Sequence, residues 1–154
     1  MKNLPNRAAD LLSRIDHSIL MSAVMILSEE QKSPGRQGGV LAIGIAYPDS
    51  NSAQFVSTNI GLPGLKFGRY ALNAAEKIAR LYERRTAGND EIAASVSAEE
   101  RLGTWGGCIV FADNPRGEFE EVYISFSGAT PEVDEAIAFV LGSKLGLKAP
   151  QYYN

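Results

Sequence analysis

The segment from Val122 to Ala138 constrains this chain more than any other, because it writes a strand, a tight glycine turn and a helix start in succession. Val122, Ile124 and Phe126 alternate with Tyr123 and Ser125, the period of two that suits a half-buried strand. The strand should stop at Ser127-Gly128. Thr130 is placed to cap a helix through its hydroxyl oxygen, and Pro131 follows at the first helical position, where its missing N–H costs nothing. Glu132, Asp134 and Glu135 then place negative charge in the first turns, at the positive end of the helix dipole. The turn has two readings. It is a structural connection, or it is an anion site in which Gly128 and the free amides of the helix start act against the nearby acidic side chains.

The same alternation organises the rest of the chain into two hairpins. Val40 to Tyr47 is apolar on both faces and reads as a central strand, followed by turn residues Pro48 to Ser52 and a second strand over Ala53 to Ser57. Cys108 to Ala112 and Glu118 to Phe126 flank Asn114-Pro115-Arg116-Gly117, which has strong turn chemistry. Turns this short demand antiparallel pairing. Helical patterns surround the hairpins. One runs from about residue 5 to 31, with Ala8, Leu11, Leu12, Ile15, Ile19, Ala23 and Ile26 on one face. A second spans about 69 to 85 with an expected inner stripe of Ala71, Leu72, Ala75, Ile78, Ala79 and Tyr82, and a third runs from Pro131 to about Leu145, closed by Gly146. Ser97 to Glu100 reads as a capping box opening a short helical turn. The expected fold is α+β, a mostly antiparallel sheet of four to five strands flanked by helices, in one domain over residues 1–154.

Composition excludes several function classes. Fifteen Lys and Arg against eighteen Asp and Glu leave a net charge of -3, with no general attraction for nucleic acid or anionic membranes. The basic run Arg80, Arg84 and Arg85 reads as a solvated helix end. Glu118, Glu120 and Glu121 read as polar residues on an exposed strand face. Cys108 is the only cysteine, which excludes an intrachain disulfide. No apolar segment is long enough to span a bilayer, and the chain is expected to be cytoplasmic.

Few residues carry chemistry. His17 is the sole histidine, and with Met21 it forms an i, i+4 pair that could ligate haem iron. Packing is the competing reading of both. His17, Leu20, Met21 and Val24 lie opposite the main apolar face of the first helix, which suggests an interface between copies of the chain. Trp105, Gly106 and Gly107 offer a flat apolar wall and close backbone approach, for a planar ligand or a neighbouring subunit. Nucleophile elbows and phosphate-binding glycine loops are absent.

The Gly106-Gly107-Cys108-Ile109 strand entry, the hairpin after it and Ser127-Gly128-Ala129-Thr130-Pro131-Glu132-Val133-Asp134-Glu135-Ala136 resemble the haem-degrading domain family, which includes GlcG-like and HbpS-like proteins and the PduO C-terminal domain. The motif match covers residues 106 to 146, and the first half agrees in element order. The resemblance implies a profilin-like layered fold, homo-oligomers, and a ligand such as haem or a related planar cofactor. The candidate ligand-binding residues remain those read from the chain itself, Trp105, Gly106, Gly107, Ser127, Gly128 and Thr130. Two other functions stand beside the implied one: an enzyme or accessory subunit acting on a small metabolite or tetrapyrrole, and a protein-interaction module.

Overall fold

Two antiparallel hairpins supply the sheet. The computed structural model describes residues 6–30, 37–62, 64–87, 106–113 and 119–148. Strand β1 (Gln37–Tyr47) pairs with β2 (Ser52–Leu62) from Gln37↔Leu62 to Tyr47↔Ser52, so the second strand is longer than its apolar pattern suggested. A short 3₁₀ turn, Pro48–Ser50, leads to Asn51 at φ 52°, a left-handed position that asparagine tolerates. Strands β3 (Cys108–Asp113) and β4 (Glu120–Ser127) form the second hairpin. Its turn, and the Ser97 capping box, lie outside the described residues. β1 and β4 pair with each other through Val40↔Ser127 to Ala46↔Glu121, giving the order β2-β1-β4-β3. The fold is α+β, with a four-stranded antiparallel sheet among the described residues.

Helices cover both faces. On one side lie α1 (Arg7–Ser13), α2 (His17–Glu30) and α4 (Pro131–Lys144), and on the other α3 (Phe67–Thr86). Leu41, Ile43 and Ile45 of β1, Ile109 and Phe111 of β3, and Val122, Ile124 and Phe126 of β4 face the first group. They form an apolar core there with Leu11, Ala23, Ile137 and Leu141. The alternate residues Val40, Ala42, Cys108, Val110 and Tyr123 face α3. β4 is therefore buried along its whole length, not half-buried, because it is an inner strand covered from both sides. Ser125, the polar member of its alternation, donates to the carbonyl of Ala74 on α3 at 2.9 Å.

The single first helix expected over 5 to 31 is two helices. Asp16 accepts from the Ile19 amide at 3.0 Å and caps α2, while Asn6 caps α1 through the Ala9 amide at 3.1 Å. The intended apolar face survives the break: Ala8, Leu11 and Ala23 are buried, and Leu12, Ile15 and Ile19 pack against the core. At the other end of the chain Gly146 takes φ 77° and ends α4 as expected. Among the described residues no helix is long and apolar enough to cross a membrane.

Candidate functional site

α3 meets the sheet with only part of the stripe its apolar residues suggested: Ala71 and Ile78 pack against the sheet as expected, while Leu72, Ala79 and Tyr82 are exposed. The face against the sheet carries Ala74, Lys77, Leu81 and Arg85, all buried, while Leu72 and Tyr82 turn outward at 74% and 38% exposure. Two ion pairs set this rotation. Lys77 Nζ donates to Asp134 Oδ2 at 2.9 Å and to the Phe126 carbonyl at 2.8 Å, and Arg85 meets Glu121 Oε2 at 2.7 Å. Arg85 is thus a buried partner, not a solvated helix end, although Arg80 does pair locally with Glu76 at 2.7 Å. Glu120 and Glu121 are likewise buried, not exposed strand polars. Glu120 takes Arg7 at 3.2 Å and the Tyr47 hydroxyl at 2.9 Å on the opposite face.

A cavity of about 580 Å³ opens where the start of α3 meets the β4–α4 turn. Arg69, Tyr70, Asn73 and Lys77 recur at three- and four-residue spacing along one side of the helix and, with Lys66 just before its first residue, form one wall. Ser127, Gly128, Ala129 and Thr130 form the other, with Asp134 beside Lys77 at the base. A volume of this size takes a drug-sized or cofactor-sized ligand. Lys66 and Arg69 stand exposed, and among the described residues neither has a carboxylate partner. Lys77 is 1% exposed, and its two acceptors leave one of three ammonium protons without a partner among the described residues.

The turn is held by Asp134, not by Thr130. Thr130 has the extended backbone of a cap residue, but its side chain makes no capping hydrogen bond. Asp134 Oδ1 instead accepts from the Ala129 amide at 2.9 Å, while its other oxygen takes Lys77. Burial raises the Asp134 carboxyl above its ordinary range, opposed by Lys77 and by the amides of Ala129 and Gly128. Two glycines are sterically required here. A Cβ on Gly128 would lie 2.6 Å from the Gly38 carbonyl, where the turn crosses the start of β1. Gly107 has φ 126°, and a Cβ there would meet Asp134 at 2.7 Å and Lys77 Nζ at 2.8 Å.

Of the ligand residues expected from sequence, Ser127, Gly128 and Thr130 line this cavity, and Gly107 abuts the ion pair at its base. Gly106 is buried next to it, and Trp105 lies outside the described residues. His17 and Met21 stand exposed on α2, on the opposite face of the sheet, and neither lines the cavity. Leu20 packs partly into the core, and Val24 lies on the same helix. Cys108 is fully buried, and burial pushes its thiol far up, which makes it inert. The cationic wall of α3 escaped the sequence reading. Its signal was Lys77, three residues from Ala74 and four from Leu81, a charge set inside an apolar stripe.

No family model matches the chain, and no curated protein or solved structure matches it either. What the fold and cavity define is a class by architecture: an α+β domain with helices on both faces of its sheet and a cationic cavity at one end of α3.

Proposed function

We propose that this is a small-ligand-binding domain whose ligand is flat and anionic and occupies the cavity between α3 and the β4–α4 turn. The supporting observation is charge. Among the described residues Lys66 and Arg69 have no carboxylate partner at the cavity wall, and the carboxylate that lines it, Asp134, is paired with Lys77. Glu132 is exposed and does not line the cavity. Two exposed cations near a helix N-terminus attract a molecule bearing carboxylates or phosphates. The resemblance to the haem-degrading domain family makes haem the first candidate, and the residues suit it: its two carboxylates match Lys66 and Arg69. Tyr70 is the lining side chain of a type that ligates ferric haem iron.

The test is a titration with haemin followed in the Soret band, on the wild type and on His17→Ala. A saturable shift that His17→Ala leaves unchanged supports binding in the cavity. A spectrum that changes with His17→Ala moves the iron to α2, and no shift removes haem. We further propose a cytoplasmic location and self-association, in keeping with the single buried thiol and with the exposed Met21 and Met25 on α2.

A further inference from the structure

The cavity wall opposite Lys66 and Arg69 holds hydrogen-bond donors that the fold itself does not use. Side chains alternate along β4, so Ser127 faces the α3 side as Ser125 does two residues earlier. Ser125 is bonded to the Ala74 carbonyl. Ser127 lines the cavity and is only 4% exposed, yet its hydroxyl has no hydrogen-bond partner among the described residues. It is not sealed in: the closed-off, unpartnered side-chain atom among those residues is the Tyr123 hydroxyl. Beside Ser127, α4 starts without a side-chain cap from Thr130. Pro131 has no amide hydrogen, and the amides of Glu132 and Val133 have no acceptor among the described residues. A helix of 14 residues places partial positive charge at this end. Of the acidic side chains in its first turn, Glu132 is exposed and does not line the cavity, and Asp134 gives its two oxygens to Lys77 and to the Ala129 amide.

We propose that this corner is a phosphate subsite, so that the cavity also takes the phosphate monoester of a planar ring. The donors come from three elements: the Ser127 hydroxyl at the end of β4, the Thr130 hydroxyl with the first amides of α4, and the Lys77 ammonium on α3. Such a spread suits the oxygens of a tetrahedral group better than the two of a planar carboxylate. A monoester carries about two negative charges at neutral pH, and Lys66 and Arg69 across the cavity balance them. Tyr70, half-buried on the same wall, supplies an aromatic side chain for the ring. The phosphate subsite rests on the reading that the cavity holds an anionic ligand, but not on haem, whose acid groups are carboxylates.

Inorganic phosphate is the probe, titrated at constant ionic strength and followed by amide NMR. Saturable shifts are expected at Ser127, Glu132 and Val133. Ser127→Ala and Thr130→Val should each weaken binding about tenfold, as the loss of one hydrogen bond to a charged group requires, with the rest of the spectrum unchanged. Acetate should bind more weakly than phosphate. The subsite is overturned by the absence of saturable binding, by acetate binding as tightly, or by phosphate binding that both variants leave intact. Shifts confined to the start of α3 overturn it as well, since they place the anion on Lys66 and Arg69 alone. Haemin that binds where phosphate does not removes the subsite and leaves the cavity a ligand site; phosphate that binds where haemin does not supports the subsite and removes haem alone.

Discussion

The two faces of the sheet are built by different means. Under α1, α2 and α4, the inward residues of β1, β3 and β4 form a continuous apolar core. Opposite them, α3 presses Lys77 and Arg85 into the sheet, fixes them on Asp134 and Glu121, and turns Leu72 and Tyr82 to solvent. The first face is held by area, which is forgiving of angle. The second has a smaller apolar contact, of Ala74, Ile78 and Leu81 on β1, β3 and β4, and adds two buried directional pairs, which fix one rotation of one helix. That rotation has two results. It aligns Lys66, Arg69 and Asn73 along the cavity, and it leaves an apolar strip outside. Both faces stabilise the fold, and the cavity lies on the α3 side.

Changes on the α3 face should have the largest effect. Lys77→Met leaves the Asp134 carboxylate buried without its cation and should cost about 3–5 kcal/mol in denaturant unfolding. Adding Asp134→Asn, which keeps an acceptor for the Ala129 amide, should recover most of that loss. If the double variant is no better than the single, the pair is not what fixes α3. On the opposite face Leu41→Ala should cost about 2–5 kcal/mol through the cavity it opens, and no single second change should restore it. A loss well below this range would mean that the apolar face is loosely packed.

A smaller effect follows from pH. Burial holds the Asp134 carboxyl above its unfolded value of 3.8, so the folded chain binds that proton more tightly than the unfolded one. The stability this contributes is present below 3.8 and is lost as pH rises through the folded value. Relative to the Lys77→Met/Asp134→Asn variant, the wild type should lose stability over that window and then level off. A difference that grows with pH instead would show that Lys77 dominates the carboxyl.

Much of this architecture was legible in the sequence. Both hairpins, the inner position of β1, the break at Gly128 and the left-handed Gly146 follow from alternation and turn chemistry, which are local. The helix break at Asp16 was legible in principle as a capping residue, but the apolar periodicity ran straight through it. What stayed hidden is non-local. Glu120 and Glu121 look like surface polars until Arg7 and Arg85 arrive from elements far along the chain. The inner face of α3 was legible only in part: Ala71 and Ile78 pack as their spacing suggests, and two buried cations, Lys77 and Arg85, set the rest. Of the cavity, sequence reached the wall formed by Ser127, Gly128 and Thr130. The wall on α3 escaped because Lys66, Arg69 and Asn73 look individually like any solvated helix surface.

The most direct test of the account sets the cationic wall against its ligand: haemin titrated in the Soret band into the wild type and into Lys66→Glu/Arg69→Glu. The account predicts saturable binding by the wild type, weakened about tenfold or more in the variant, as losing a contact of about 1.4 kcal/mol requires. Circular dichroism should be unchanged, since both side chains are exposed. Equal binding by the two proteins, or no binding by the wild type, would contradict it.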